Sequence, residues 1–428
     1  MIKNSLYIIC LLVGVSALAQ TPKRILLTNG ILHVGNGEIV TSAAIGIEEG
    51  KIKFVKNSLT TTIVKSEWDT IIDLQNQHVY PGFVAPNSTL GLTEIDAVRA
   101  TNDFNEVGDL NPHIRSLIAF NVESKVISTV RTNGVLMAQA TPRGGTISGS
   151  SSVMHLAGWN WEDAAVSVDD GIHLNWPESV QGNGWRAKPE DIKRNEEYEK
   201  AKREIVQFCE AAKLYAENPT KYELDVRYAA MKDVFFGSKR LYIHANDVQQ
   251  LLDIIDFAKL MGVKFPVIVG GYDAYLITER LRDSKIPVML PRLHSLPQSE
   301  DDAVDLPYRL PFLLHQGQVK FCLQNEGDME AMNARNLPFL AGTAMAYGLP
   351  DEEAVKAISL STCEIMGIDK NYGSVVAGKK ATLFVSKGSA LDMKTNDVTL
   401  ILMDGDFVET TNMQTELYEK YKKKYGMK

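Results

Sequence analysis

Residues 241–270 read LYIHANDVQQLLDIIDFAKLMGVKFPVIVG, and this stretch decides the fold. Leu241-Tyr242-Ile243-His244 is a buried-strand run, after which Asn246 or Asp247 can cap a helix that continues to about Met261. Pro266 to Val269 is the next strand, with a helix behind it through Arg282. Ile286 to Leu290 and Gln318 to Leu323 repeat the strand texture. Units of about 20–30 residues that alternate apolar strands with amphipathic helices belong to parallel α/β sheets. They predict a TIM-like (β/α)8 barrel, although a doubly wound sheet would have a similar texture. Working outward, Val79 to Val84 and Val135 to Ala140 read as earlier strands of the same sheet.

The flanks differ. From Arg24 to about Val79, short apolar runs are punctuated by Asn29-Gly30, Asn36-Gly37 and Glu49-Gly50, which are hairpin signals. Residues 373–408 have the same character, with Tyr372-Gly373, Ala377-Gly378 and Asp404-Gly405 between strand-like runs. Two stretches interrupt the βα rhythm. Residues 141–185 are rich in Gly, Ser and Trp and are expected to be a long loop insertion, and Pro189 to Asn218 is expected to be one exposed, charged helix. Residues 413–428 form a Lys-rich tail of the kind usually found at a solvated helix end.

The 428 residues carry 45 Lys+Arg and 53 Asp+Glu, a formal charge of −8, with 45% hydrophobic residues. That profile excludes a largely disordered chain and a multi-span membrane protein, and it lacks the basic field that a nucleic-acid binder needs. Lys3, the apolar run Leu6 to Leu18 and Ala17-Leu18-Ala19 read as a signal peptide cleaved near Ala19. The expectation is an exported chain, periplasmic in a Gram-negative host, with no membrane span after cleavage. The remaining Cys209, Cys322 and Cys363 are odd in number and widely spaced, so neither a disulfide framework nor a zinc motif is predicted.

In such a barrel, chemistry sits at the C-terminal ends of the strands. Asn87 and Thr89, two residues apart after Pro81-Gly82-Phe83-Val84, share a face and are candidates for binding substrate. His244 ends its strand and could act as a base, a ligand or a substrate contact. Glu326 and Asp328 follow Leu323 closely enough to supply an acid or base, with Asn325 between them as a binding candidate. The Gly-rich run Arg143 to Ser152 lacks the ending of a P-loop and does not match a nucleophile elbow. Trp159, Trp161, Trp176 and Trp185 crowd the same insertion, and Trp159 and Trp161 are candidates for an aromatic platform under a small ligand.

These segments resemble the amidohydrolase superfamily, in particular its imidazolonepropionase-like and dihydroorotase-like proteins. Three features carry the likeness: Ile72-Asp73-Leu74 leading into Val79 to Val84, the region of His244, and the ending Gly348 to Leu360 followed by Met366 to Asp369 and Gly373 to Leu383. The resemblance implies a metal-dependent hydrolase barrel over residues 81–369. It also implies a small β-sandwich formed jointly by residues 20–80 and 370–412, and hydrolysis of non-peptide carbon–nitrogen bonds in cyclic or linear amides. The family uses Zn2+ or another divalent ion, yet Asn87 and Thr89 stand where its His-x-His motif would be. His244 matches a family ligand, whereas Val267 to Gly271 holds no histidine, and the register near Gln324-Asn325-Glu326 leaves the final aspartate position open. No metal is therefore assigned. The alternatives are an inactive barrel that binds an amide-like or heterocyclic small molecule, alone, as a homo-oligomer or paired with an intact homologue, and a sugar-binding protein that uses the tryptophans.

Overall fold

The computed structural model describes residues 24–181 and 193–427; the segment read as a signal peptide, Trp185 and Pro189 lie outside the described residues. Eight strands form one nearly closed sheet, in which neighbours follow chain order. They are β1 (Phe83–Ser88), β2 (Val135–Ala140), β3 (Ile147–His155), β4 (Ala165–Asn175), β5 (Arg240–Ala245), β6 (Pro266–Gly270), β7 (Val288–Leu290) and β8 (Phe321–Leu323). Val84, Met137, Val153, Tyr242, Val267, Val269, Met289 and Cys322 fill its interior. Helices such as Val248–Met261, with a complete capping box at Asp247 and Gln250, bury their apolar faces against its outside.

The stretch 141–185, expected to be a loop insertion, instead supplies two of the eight strands. β3 runs antiparallel to both β2 and β4, and the remaining neighbours are parallel. The sequence hid β3 for a physical reason. Ile147–His155 reads ISGSSSVMH and is buried along nearly its whole length, so no alternation of polar and apolar residues marks it. Its serines stay inside because they are bonded: Ser151 donates to Asp170 at 2.8 Å, Ser150 donates to the Pro112 carbonyl, and Ser152 accepts from the Asp169 amide.

The charged segment also differs from expectation. Its helix starts at Tyr198 and runs to Glu217, and it buries Ile205, Phe208, Cys209, Ala212 and Ala216, so one face belongs to the core. The C-terminal helix Met413–Lys424, capped by Asn412, buries no residue.

Strands from both flanks hydrogen-bond into a single eight-stranded sheet. His78–Pro81 is its joint, pairing parallel with Arg24–His33 and antiparallel with Leu383–Ser386. Alternation along the joint divides the labour. Val79 and Val385 face the sheet's own core, whereas Tyr80 and Phe384 point the other way, into the barrel core. Phe384 stacks on Tyr80 with centroids 5.4 Å apart and meets Phe83 edge-on at 5.0 Å. Truncating this fully buried ring in Phe384→Ala should cost about 3–5 kcal/mol, read as a lower urea midpoint with an unchanged m-value.

Candidate functional site

The C-terminal ends of the strands open into a cavity of about 770 Å3, lined by Asn87, Thr89, Phe104, Arg143, His244 and Glu326 among others, with Asp328 and Glu330 at its side. Asn87, Thr89, His244, Glu326 and Asp328, scattered in sequence, therefore come together. Trp159 and Trp161 do not join them. Antiparallel β3 carries the chain away from the mouth, so both follow its far end, and Trp159 is 92% exposed. Asn325 points into a separate, smaller cavity.

The centre of the mouth is Arg143. The chain leaves β2 at Ala140, and the Arg143 amide donates to the Phe104 carbonyl at 2.7 Å. Gly144 and Gly145 then turn with positive φ, and a Cβ on Gly145 would come within 2.7 Å of the Asp109 carbonyl oxygen. This Gly-rich run thus makes a tight loop that aims a guanidinium inward. Nη1 donates to Asn87 Oδ1 at 2.7 Å and Nη2 donates to the Asn87 carbonyl at 2.8 Å. Asn87 has φ +49, a left-handed conformation that asparagine tolerates better than most residues, and it presents both oxygens to the arginine.

Asn87 Nδ2 donates in turn to Gln324 Oε1 at 2.6 Å and to Glu326 Oε2 at 3.3 Å. These bonds join the ends of β1 and β8 and identify Gln324 as the strand-end residue that faces Asn87. Thr89 presents its amide and hydroxyl to Glu330 Oε2, at 2.6 and 2.9 Å. Asn87 and Thr89 thus hold charged groups in place. Burial pushes the carboxyls of Glu326 and Glu330 above the usual range, and the nearby Arg143 charge opposes that rise.

His244 works in a pair. Its Nε2 lies 2.9 Å from Nδ1 of His173, a fully buried residue of β4 that stacks on Tyr242. Burial, assisted by the Arg143 charge, lowers the His244 pKa to about 3; burial and the charges of His244 and Arg143 drive that of His173 well down too. Both rings are neutral near neutral pH, and so low a pKa makes His244 a weak base, better suited to hydrogen bonding than to proton abstraction.

Arg143, His173 and Glu330 escaped the sequence reading as site residues, and Gln324 entered it only as one of three places for the family's final aspartate. Arg143 and Gln324 follow strand ends closely and were open to the same rule that found His244. Glu330 was not, because the turn through Gly327 and Met329, both at positive φ, folds it back onto Thr89. The donor set does not fit a catalytic divalent ion. Asn87, Thr89 and Gln324 are neutral, His244 is bonded to His173, and a fixed guanidinium sits beside them. Among the described residues, no three His, Cys, Asp or Glu side chains gather as metal ligands.

No protein-family profile and no curated protein sequence matches the chain. Solved structures do. An amidohydrolase from Thermotoga maritima MSB8 is similar with a TM-score of 0.78 and 24% identity, over 90% of this chain and 99% of that one. Molinate hydrolase (TM-score 0.57, 12% identity, 91% and 95% covered) and A. niger ochratoxinase (0.56, 13%, 90% and 95%) are more distant. At these identities the likeness shows a shared fold, that of the amidohydrolases.

The two imidazoles give a test in acid. The unfolded chain protonates them near the ordinary 6.5, whereas the folded chain does so only far below. Between these limits the unfolded state binds more protons, so stability falls as pH falls, by about 1.4 kcal/mol per pH unit for each ring. His244→Gln should flatten this slope in urea unfolding measured between about pH 4.5 and about pH 6.5.

Proposed function

We propose that this chain, built on the amidohydrolase fold, is an exported hydrolase of carbon–nitrogen bonds in small cyclic or linear amides, and that it uses a fixed arginine where that fold would use a metal. The observation that carries the reading is Arg143 and the partly buried Glu326 sharing one cavity at the catalytic end of the barrel. Arg143 spends two N–H groups on Asn87 and keeps others for a substrate carbonyl. Glu326, whose pKa burial raises against the opposing charge of Arg143, is placed to act as a general acid–base group.

Glu326 takes a proton from water as the oxygen adds to the amide carbonyl carbon. The negative charge that develops on the carbonyl oxygen lies against Arg143. The C–N bond then breaks, and Glu326 returns the proton to the departing nitrogen. Asn87 positions Arg143, Thr89 positions Glu330, and the neutral His244, held by His173, offers a hydrogen bond to the bound amide. Asp328, on the exposed rim, is assigned to substrate entry. The sheet joining both chain ends, which has its own apolar core, is read as the small sandwich of this fold.

A second reading, a non-catalytic barrel that binds a small molecule or supports an active homologue, is favoured by how fully the carboxylates are already engaged: Glu330 by Thr89, and Glu326 by Asn87 and Gln324.

Amine release from N-acyl amino acids and cyclic amides, assayed on the mature protein after chelator treatment, decides between them. Turnover should survive the chelator and fall by roughly 100- to 10,000-fold in Glu326→Gln. Activity that is abolished by the chelator and restored by Zn2+ would sink the arginine mechanism, and ligand binding without turnover would support the second reading.

A further inference from the structure

Beside the main cavity lies a second one of about 260 Å3, lined by Arg292, His294, Asn325, Asn333, Asn336 and Leu340. Its composition is one-sided. Arg292 brings a guanidinium, the asparagines bring amides, and no carboxylate lines it; Asp328 enters the surroundings only through its carbonyl, which accepts from Arg292 Nη1 at 3.3 Å and from Asn333 Nδ2 at 3.4 Å.

Two of its donors have no acceptor. Asn325 is 3% exposed, yet its buried Nδ2 has no hydrogen-bond partner, and the buried Nε of Arg292 has none either. A folded chain rarely leaves two buried donors unmatched in one place. His294 does not supply the missing acceptor through Nε2, which lies 2.7 Å from the Thr343 hydroxyl. An oxyanion would satisfy both donors and the guanidinium charge at once.

The two cavities share a wall. Gln324, Asn325 and Glu326 are consecutive: Gln324 and Glu326 meet Asn87 on the main-cavity side, while Asn325 lines the smaller space. Gly327 lines the main cavity, and a Cβ placed there would lie 3.2 Å from Arg292 Nη2. With no side chain at Gly327, the edge of the main cavity lies against the Arg292 guanidinium, close enough for its charge to act on Glu326.

We propose that this smaller cavity is a carboxylate subsite, and that the amide hydrolysed at Glu326 carries an acid group seated against Arg292 and Asn325, as an N-acyl amino acid does. The assignment rests on the hydrolase reading for the word substrate, but the subsite itself is testable by binding alone.

Isothermal titration of the mature protein with N-acetylglycine, N-acetylglycinamide and acetate is the experiment. N-acetylglycine should bind roughly ten- to a hundredfold tighter than its carboxamide, the range for a charge-assisted contact. Arg292→Gln should erase that preference, and Arg292→Lys should retain part of it. Equal affinity for acid and carboxamide, a preference that persists in Arg292→Gln, or no binding of N-acetylglycine would overturn the proposal. N-acetylglycine binding no tighter than acetate would also overturn it, leaving a site for free anions. An Arg292-dependent preference in a protein without turnover would uphold the subsite while the hydrolase reading falls.

Discussion

The mouth of this barrel is organised around one partly buried positive charge. Arg143 sits among groups that its charge holds in balance: it opposes the rise in the Glu326 and Glu330 pKa values and helps keep His244 neutral. Removing a guanidinium from such a place would leave two partly desolvated carboxyls without compensation, a costly state in a low-dielectric site. The bonds from Arg143 to both oxygens of Asn87, and from Asn87 to Gln324, make the same charge part of the seam that joins the first and last strands. Charge balance and barrel closure therefore depend on the same three side chains.

A tethered cation differs from a bound one. A divalent ion needs anionic or imidazole ligands and is lost when they protonate. Arginine holds its charge well above neutral pH, burial lowers the pKa of Arg143 against the opposing pull of Glu330 and Glu326, and its position is set by a loop that packs on Phe104 and Asp109. What it lacks is the power of a metal to ionise a bound water, so in the proposed hydrolysis that task would fall to Glu326, whose pKa burial raises.

How much of this could be read from the residues follows from the physics of each element. β5 to β8 and their helices were legible because parallel strands are apolar runs and their helices carry caps such as Asp247. β3 and β4 were not, because Gly and Ser have little strand propensity and the polar atoms of β3 are satisfied only by partners distant in the chain, such as Asp170. Asn87, Thr89, His244 and Glu326 were found by the strand-end rule. The same rule reaches Arg143, but a glycine-rich context drew the reading toward phosphate loops. Glu330 and His173 acquire meaning only through contacts with Thr89 and His244 that no local pattern encodes.

The antiparallel course of β3 also bears on how the chain assembles. A parallel strand pair must wait for a whole crossover helix before its ends can meet, whereas β2, β3 and β4 are joined by short connections and pair in sequence order. The entropy of closing such loops is small, and contacts of low sequence separation form early. This three-strand meander offers the one portion of the barrel wall that can organise before the helical units arrive. The loop that aims Arg143 is its first connection, so the charge at the barrel mouth is set in place by the segment best able to nucleate the fold.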